Sequence, residues 1–116
     1  DIARAVATGS YRDVALRYLA EFELLGRFDT IVAKEDYVHG KPAPEPFLTS
    51  AAQLQVDSTR CWALEDSPHG IRSAFDAGMA TIMVPDLLTP DAETTALCSH
   101  IVSSLNEVVS LIQERR

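Results

Sequence analysis

Four short apolar runs, each answered within a few residues by a helix-start signal, constrain this chain more than any other feature. The runs predict strands over residues 2–7, 30–33, 61–64 and 80–84. Between them, apolar residues recur at helical spacing and predict helices over 11–24, 44–54 and 68–77. Strand-helix alternation of this kind selects a mostly parallel α/β sheet with right-handed crossovers and helices on both faces. The expectation is a Rossmann-like three-layer sandwich. Crevices in such sheets open at the carboxyl ends of the strands, so those ends are where chemistry is sought.

The punctuation supports the same segmentation. Ser10 reads as an N-cap, with Asp13 completing a variant capping box, and Gly26 reads as the stop of that helix. Pro44 opens the second helix, and Ser67-Pro68 combines a cap with a first-turn proline. In the third helix, Ile71, Ala74 and Phe75 are expected to face the sheet. Residues 86–99 read mostly as loop, with a short helix over 91–97, and Ile101-Val102 reads as a last edge strand. Ser104 and Glu107 make a capping box for a final helix whose apolar positions are Leu105, Val108, Val109, Leu111 and Ile112.

With 116 residues the chain is at most one domain, and at 47% hydrophobic it can build a core. A net charge of −7 argues against a nucleic-acid surface. No apolar run is long enough to span a membrane. Only Cys61 and Cys98 are present, which suits a reducing, cytoplasmic setting, and Cys61 is expected to be buried and inert. The chain begins Asp1-Ile2-Ala3-Arg4, without an initiator methionine or signal peptide, as an internal piece of a longer protein would.

Three strand ends carry candidate chemistry. Thr8-Gly9-Ser10 follows the first strand and can donate hydrogen bonds to an anion. Lys41 stands between Gly40 and the stiff Pro42-Ala43-Pro44 turn and can act as a point charge on a phosphate, or be an ordinary surface lysine. Glu65 and Asp66 end the third strand and can supply hard oxygen ligands to Mg²⁺, or cap the helix that follows. His39 and His69 lie close enough to this edge to be acid–base candidates, whereas His100 reads as structural.

Taken in order, Thr8-Gly9-Ser10, Gly40-Lys41-Pro42-Ala43-Pro44-Glu45, Leu64-Glu65-Asp66-Ser67, Gly70 and Ala77-Gly78-Met79 resemble the haloacid dehalogenase-like hydrolase superfamily, in its branch of phosphatases and β-phosphoglucomutase-like enzymes. The resemblance runs over nearly the whole chain. It implies that Thr8 is the strand-end hydroxyl, Lys41 the phosphate lysine, and Asp66, with Glu65, the Mg²⁺ site. Ser10 falls where related enzymes add a phosphate or substrate contact.

The family's first motif, an Asp-x-Asp whose first aspartate attacks phosphorus, occurs nowhere in these residues. The cap domain of that branch would also precede Asp1. Residues 1–116 are therefore expected to be the C-terminal portion of a core domain that lacks its first strand and cap. Those two parts of the same protein are its expected partners, together with a small phosphorylated metabolite. In that family the first strand lies between those corresponding to 2–7 and 61–64, so the resemblance implies a gap in mid-sheet and poor folding of these residues alone. The implied activity is that of a phosphatase for a sugar phosphate or other small organic phosphate. The alternatives are a mutase and a non-catalytic phosphate- or protein-binding remnant. Residues 1–116 alone are expected to be inactive.

Overall fold

A computed structural model describes residues 2–85 and 89–115. The strands are β1 (Ala5–Ala7), β2 (Thr30–Val32), β3 (Trp62–Glu65), β4 (Ala80–Met83) and β5 (His100–Ile101). The helices are α1 (Arg12–Glu21), α2 (Glu45–Leu54), α3 (Pro68–Asp76), α4 (Ala92–Leu97) and α5 (Leu105–Arg115). Every expected element is present, within a few residues at each end. The expected loop at 86–88 lies outside the described residues.

Among the described residues all strand pairing is parallel, but it falls into two sheets. β1 pairs with β2 in the register Val6 to Ile31. β4 pairs with β3, Leu64 facing Ile82, and with β5, Met83 facing Ile101. β1 and β3 therefore each have one paired and one unpaired edge among the described residues. Both unpaired edges line a single apolar groove of about 840 Å³, with Phe47, Ala51 and Met79 among its walls.

Alternation along the strands builds the three layers. Ala63 packs with Phe47, Ala51, Ala74, Ala77 and Met79 under α2 and α3. Its neighbour Trp62 points the other way, towards Ile82, Val102, Val108, Leu111 and Ile112 under α5. Ile71 and Ile82 have no exposed surface.

Several local expectations are corrected. Phe75 is 45% exposed. The buried face of α3 is centred on Gly70, Ile71, Ser73 and Ala74, which rotates Phe75 past the edge of the sheet. Ser10 does not cap α1; Tyr11 holds the N-cap position without a side-chain bond. The Ser10 carbonyl instead accepts from Lys34 N at 2.9 Å, tying the β1 and β2 exits together. The first free N–H of α1, on Arg12, is satisfied from another loop by Glu35 Oε1 at 2.8 Å. Among the described residues Asp13 accepts only from its neighbour, Val14 N. In the last helix Glu107 binds the N–H and hydroxyl of Ser103, one residue before the expected Ser104. Leu105 and Val109 are exposed, so the apolar face of α5 narrows to Val108, Leu111 and Ile112.

Gly26 is not the stop of α1. Glu23 adopts φ 59°, and Leu24 N returns to Leu19 O at 2.7 Å, which ends the helix three residues earlier. Phe22 is consequently 67% exposed. The same Schellman closure ends α2 at Gln55 (φ 58°) and α3 at Gly78 (φ 84°). Of these three left-handed positions only Gly78 is a glycine, and an added Cβ there would meet nothing closer than Thr59 Cγ2 at 3.5 Å. Its substitution cost is therefore a backbone cost. Gly78→Ala is expected to destabilise the fold by about 1–2 kcal/mol, whereas Gln55→Gly should stabilise it by somewhat less. Thermal melts of the two variants check the opposite signs.

Candidate active site

β1 and β3 deliver Thr8 and the Glu65-Asp66 pair to one edge of the molecule, and Lys41 joins them. Lys41 Nζ donates to Ala7 O at 3.2 Å and to Glu65 Oε2 at 2.5 Å. The lysine thus reaches from the carboxyl end of β1 to that of β3, across the mouth of the groove. Its ammonium also lies 5.1 Å from the centre of the Phe47 ring. The ion pair is largely shielded, the side chains of Lys41 and Glu65 being 21% and 10% exposed.

Gly70 is what permits this geometry. A Cβ there would lie 1.9 Å from Glu65 Oε1 and 2.8 Å from its Cγ. The Glu65 side chain therefore lies over the first turn of α3, where only a glycine leaves room. Ser67 caps that turn, accepting from Gly70 N at 3.1 Å, as its Ser-Pro signal predicts. Asp66 is left exposed beside it. The two adjacent acids thus separate by environment: Glu65 faces Lys41 and Asp66 faces solvent.

The loop after β1 is braced from below. Thr8 N donates to Val32 O at 2.9 Å, Thr8 Oγ1 accepts from Ser10 N at 3.1 Å, and Thr8 O accepts from Tyr37 Oη at 2.9 Å. Burial, with help from the nearby Asp36 carboxylate, pushes the Tyr37 phenol above its ordinary pKa, so it stays a neutral donor. A pocket of about 320 Å³ opens beside this loop, lined by Gly9, Lys34, Tyr37, Val38, Gly40 and Lys41. Tyr37 and Lys34 fall in a segment that reads as polar loop, and periodicity carries no signal for either.

The segment leading to Lys41 hangs on Glu45. Its carboxylate accepts from Val38 N at 2.5 Å, and His39 Nδ1 lies 3.1 Å away. These bonds, Val38 first, hold the Glu45 carboxyl below its ordinary pKa. A lowered folded value means that the contribution is full above the ordinary value and is lost as pH falls through the folded one. His39 is thereby tied to Glu45, and His69 is exposed on α3. Neither is placed as an acid–base pair.

Cys61 immediately precedes β3 and is half-buried, not fully buried as expected. Desolvation, then the Asp57 charge, raises its thiol pKa, which disfavours a reactive thiolate. Among the described residues no group of three or more His, Cys, Asp or Glu side chains could hold a metal ion. Mg²⁺ is, however, usually held by one or two carboxylates, with water and phosphate oxygens completing its shell. An exposed strand-end Asp66 fits that role as one ligand. Among the described residues no helix is long and apolar enough to cross a membrane.

The site geometry gives a direct structural expectation. Gly70→Ala should drive Glu65 off Lys41 and destabilise the protein by roughly 1–3 kcal/mol. In a Glu65→Ala background the same substitution should cost far less, because the obstructing atoms are gone. A double-mutant cycle read by denaturant unfolding checks this; equal costs in both backgrounds contradict it.

A family model described as "Haloacid dehalogenase-like hydrolase" matches residues 1–84. Fructose-1-phosphate phosphatase YqaB of Escherichia coli (strain K12) is 41% identical over 80 residues, covering 69% of this chain and 43% of its own. Hexitol phosphatase B of the same strain is 33% identical over 108 residues, covering 90% and 47%. A solved β-phosphoglucomutase from Clostridium difficile superposes with a TM-score of 0.82 at 28% identity, covering 97% of this chain and 48% of its own. CbbY from Rhodobacter sphaeroides, solved in complex with phosphate, also gives 0.82, at 29% identity and with 92% and 48% covered. The chain spans about half the length of the relatives it matches.

Proposed function

Because the chain belongs to the haloacid dehalogenase-like hydrolases, we propose that residues 1–116 are the C-terminal portion of the core domain of a Mg²⁺-dependent phosphatase for a sugar phosphate or other small organic phosphate. The observation that carries this reading is Lys41, held between Ala7 O and Glu65 Oε2 at the edge where Thr8 and Asp66 also stand.

Each residue then has a distinct task. Thr8 and Ser10 bind phosphate oxygens through their hydroxyls, and Gly9 through its backbone N–H. Lys41 offsets the charge that builds on those oxygens during transfer. Glu65 positions Lys41 and stands as the second, looser metal ligand. Asp66 is the direct ligand, and when bound Mg²⁺ supplies further charge neutralisation at the phosphoryl group.

The nucleophile comes from outside these residues. The groove between β1 and β3 has the features of a vacant strand position: two facing parallel edges and apolar walls. A strand running parallel in it would end beside Lys41, which is where the family's Asp-x-Asp is needed. Its first aspartate attacks phosphorus in line, and the bond to the leaving sugar oxygen breaks as that oxygen takes a proton from the second. Water then attacks the aspartyl-phosphate and releases inorganic phosphate. A cap domain, also outside these residues, would help to select the sugar.

The phosphatase relatives support hydrolysis as the outcome. Likeness to a β-phosphoglucomutase supports a mutase as second reading, in which a sugar phosphate takes the phosphoryl group back. The test is turnover by the native polypeptide that contains residues 1–116, with sugar phosphates and graded Mg²⁺. Released inorganic phosphate supports the phosphatase, an isomerised sugar phosphate the mutase, and no turnover of either kind a non-catalytic remnant. In an active protein, Lys41→Met should lower kcat/KM by about a hundredfold to a thousandfold. Asp66→Asn should move the Mg²⁺ titration to higher concentration more than Glu65→Gln does. Equal or reversed shifts would mean that the two acids exchange roles.

A further inference from the structure

The sequence contains only two lysines, Lys34 and Lys41, and both line the same pocket. The other members of the Lys-plus-Arg set are arginines, and among the described residues none of them lines it. In a chain of net charge −7, this concentrates cationic ammonium groups at one small opening.

Lys34 is not neutralised by its sequence neighbours. Glu35 is turned onto Arg12 N at 2.8 Å. Asp36 accepts from Ala33 N at 2.8 Å and pairs with the Arg12 guanidinium. Among the described residues Lys34 has no carboxylate partner; its ammonium sits 4.8 Å from the centre of the Tyr11 ring. Its backbone is fixed by the bond from Lys34 N to Ser10 O, so the residue is anchored to the loop that carries Thr8. Tyr37, kept as a neutral phenol, adds no negative charge to the wall. Gly40 keeps the pocket open on the other side, since a Cβ there would crowd Tyr37 Cε1 at 3.3 Å. A volume near 320 Å³ holds roughly ten waters, enough for one anionic group and a short carbon stem.

We propose that Lys34 anchors a second anionic group of the substrate, so that the pocket favours organic phosphates carrying a further phosphate or a carboxylate on the leaving-group side. This rests on the reading of Lys41 as the lysine of the transferred phosphate. A two-lysine pocket divides the work: Lys41, locked to Glu65, serves the phosphoryl group, and Lys34, held only by an aromatic face, is free to meet a second charge. An ammonium acts as a point charge, so phosphate and carboxylate share the same recognition chemistry.

The test uses the native polypeptide that contains residues 1–116, with three probes: a ketohexose monophosphate, the matching bisphosphate, and a phosphorylated sugar acid. The readout is the kcat/KM of each dianchored probe relative to the monophosphate. Lys34→Met should reduce that preference by roughly ten- to a hundredfold, through KM and not kcat, and Lys34→Arg should restore most of it. The bisphosphate and sugar-acid arms identify which anion the pocket takes. An unchanged preference, or an equal loss on all three probes, overturns the proposal. Lys41→Met, run in parallel, separates the two readings: if it leaves turnover intact, the phosphate-site reading itself has failed. Binding of the monophosphate and bisphosphate by calorimetry supplies the same comparison without turnover, and equal affinity with equal response to Lys34→Met also overturns it.

Discussion

The bridge made by Lys41 is the interaction on which the rest of this structure depends. Among the described residues the β1-β2 and β3-β4-β5 sheets share no backbone ladder. Lys41 spans their carboxyl ends, bonded to Ala7 O on one side and Glu65 Oε2 on the other. Two further connections support it: Ala7 packs against the cluster of Phe47, Ala51, Ala63 and Ala74, and Ser73 Oγ on α3 donates to Ala43 O at 2.5 Å. One ammonium therefore fixes the spacing of the two strand ends and, in the proposed reaction, presents its charge to the phosphoryl group. The fixing depends on Gly70, because the Glu65 side chain lies where any larger residue would put its Cβ.

Parallel pairing dictates what the groove can accept. Along a parallel strand, alternate residues direct both N–H and C=O to the same neighbour. Thr8 N bonds Val32 O, so Val6 and Thr8 face β2 and the intervening Ala5 and Ala7 face the groove. Ala80 N and Val84 N bond Cys61 O and Glu65 O, so Leu64 faces the groove from β3. Two ladders of backbone groups thus confront each other across an apolar space. An extended segment with hydrogen-bonding groups on both sides answers both ladders, whereas a helix satisfies its own groups internally.

The elements of this fold were legible in the sequence because each is set by local chemistry. Apolar runs read as strands, Ser67-Pro68 read as a capped helix start, and both appear where expected. The convergence of Thr8, Lys41 and Glu65-Asp66 was legible for a different reason: the loops that leave the strand ends of a parallel sheet share an edge. Local patterns could not show how polar side chains would be shared between distant loops. Glu35 takes the N-terminal donor of α1 that Ser10 was expected to serve. Two of three left-handed helix ends are held by Glu23 and Gln55, residues without the glycine signal. The separate fates of Glu65 and Asp66 follow from Gly70, whose role depends on a contact five residues away. Lys34 and Tyr37 join the pocket only through the packing of the loop after β2 against the loop after β1.

In the proposed enzyme the groove between β1 and β3 receives a strand that completes both the sheet and the site. Hydrogen exchange at the groove-facing amides of Ala5, Ala7 and Leu64 tests it most directly, in the native polypeptide that contains residues 1–116. Protection there is expected to be comparable to that of the central strand β4, and to be lost when residues 1–116 are isolated. Exchange at those three amides as fast as in surface loops, with β4 protected in the same native sample, would contradict it.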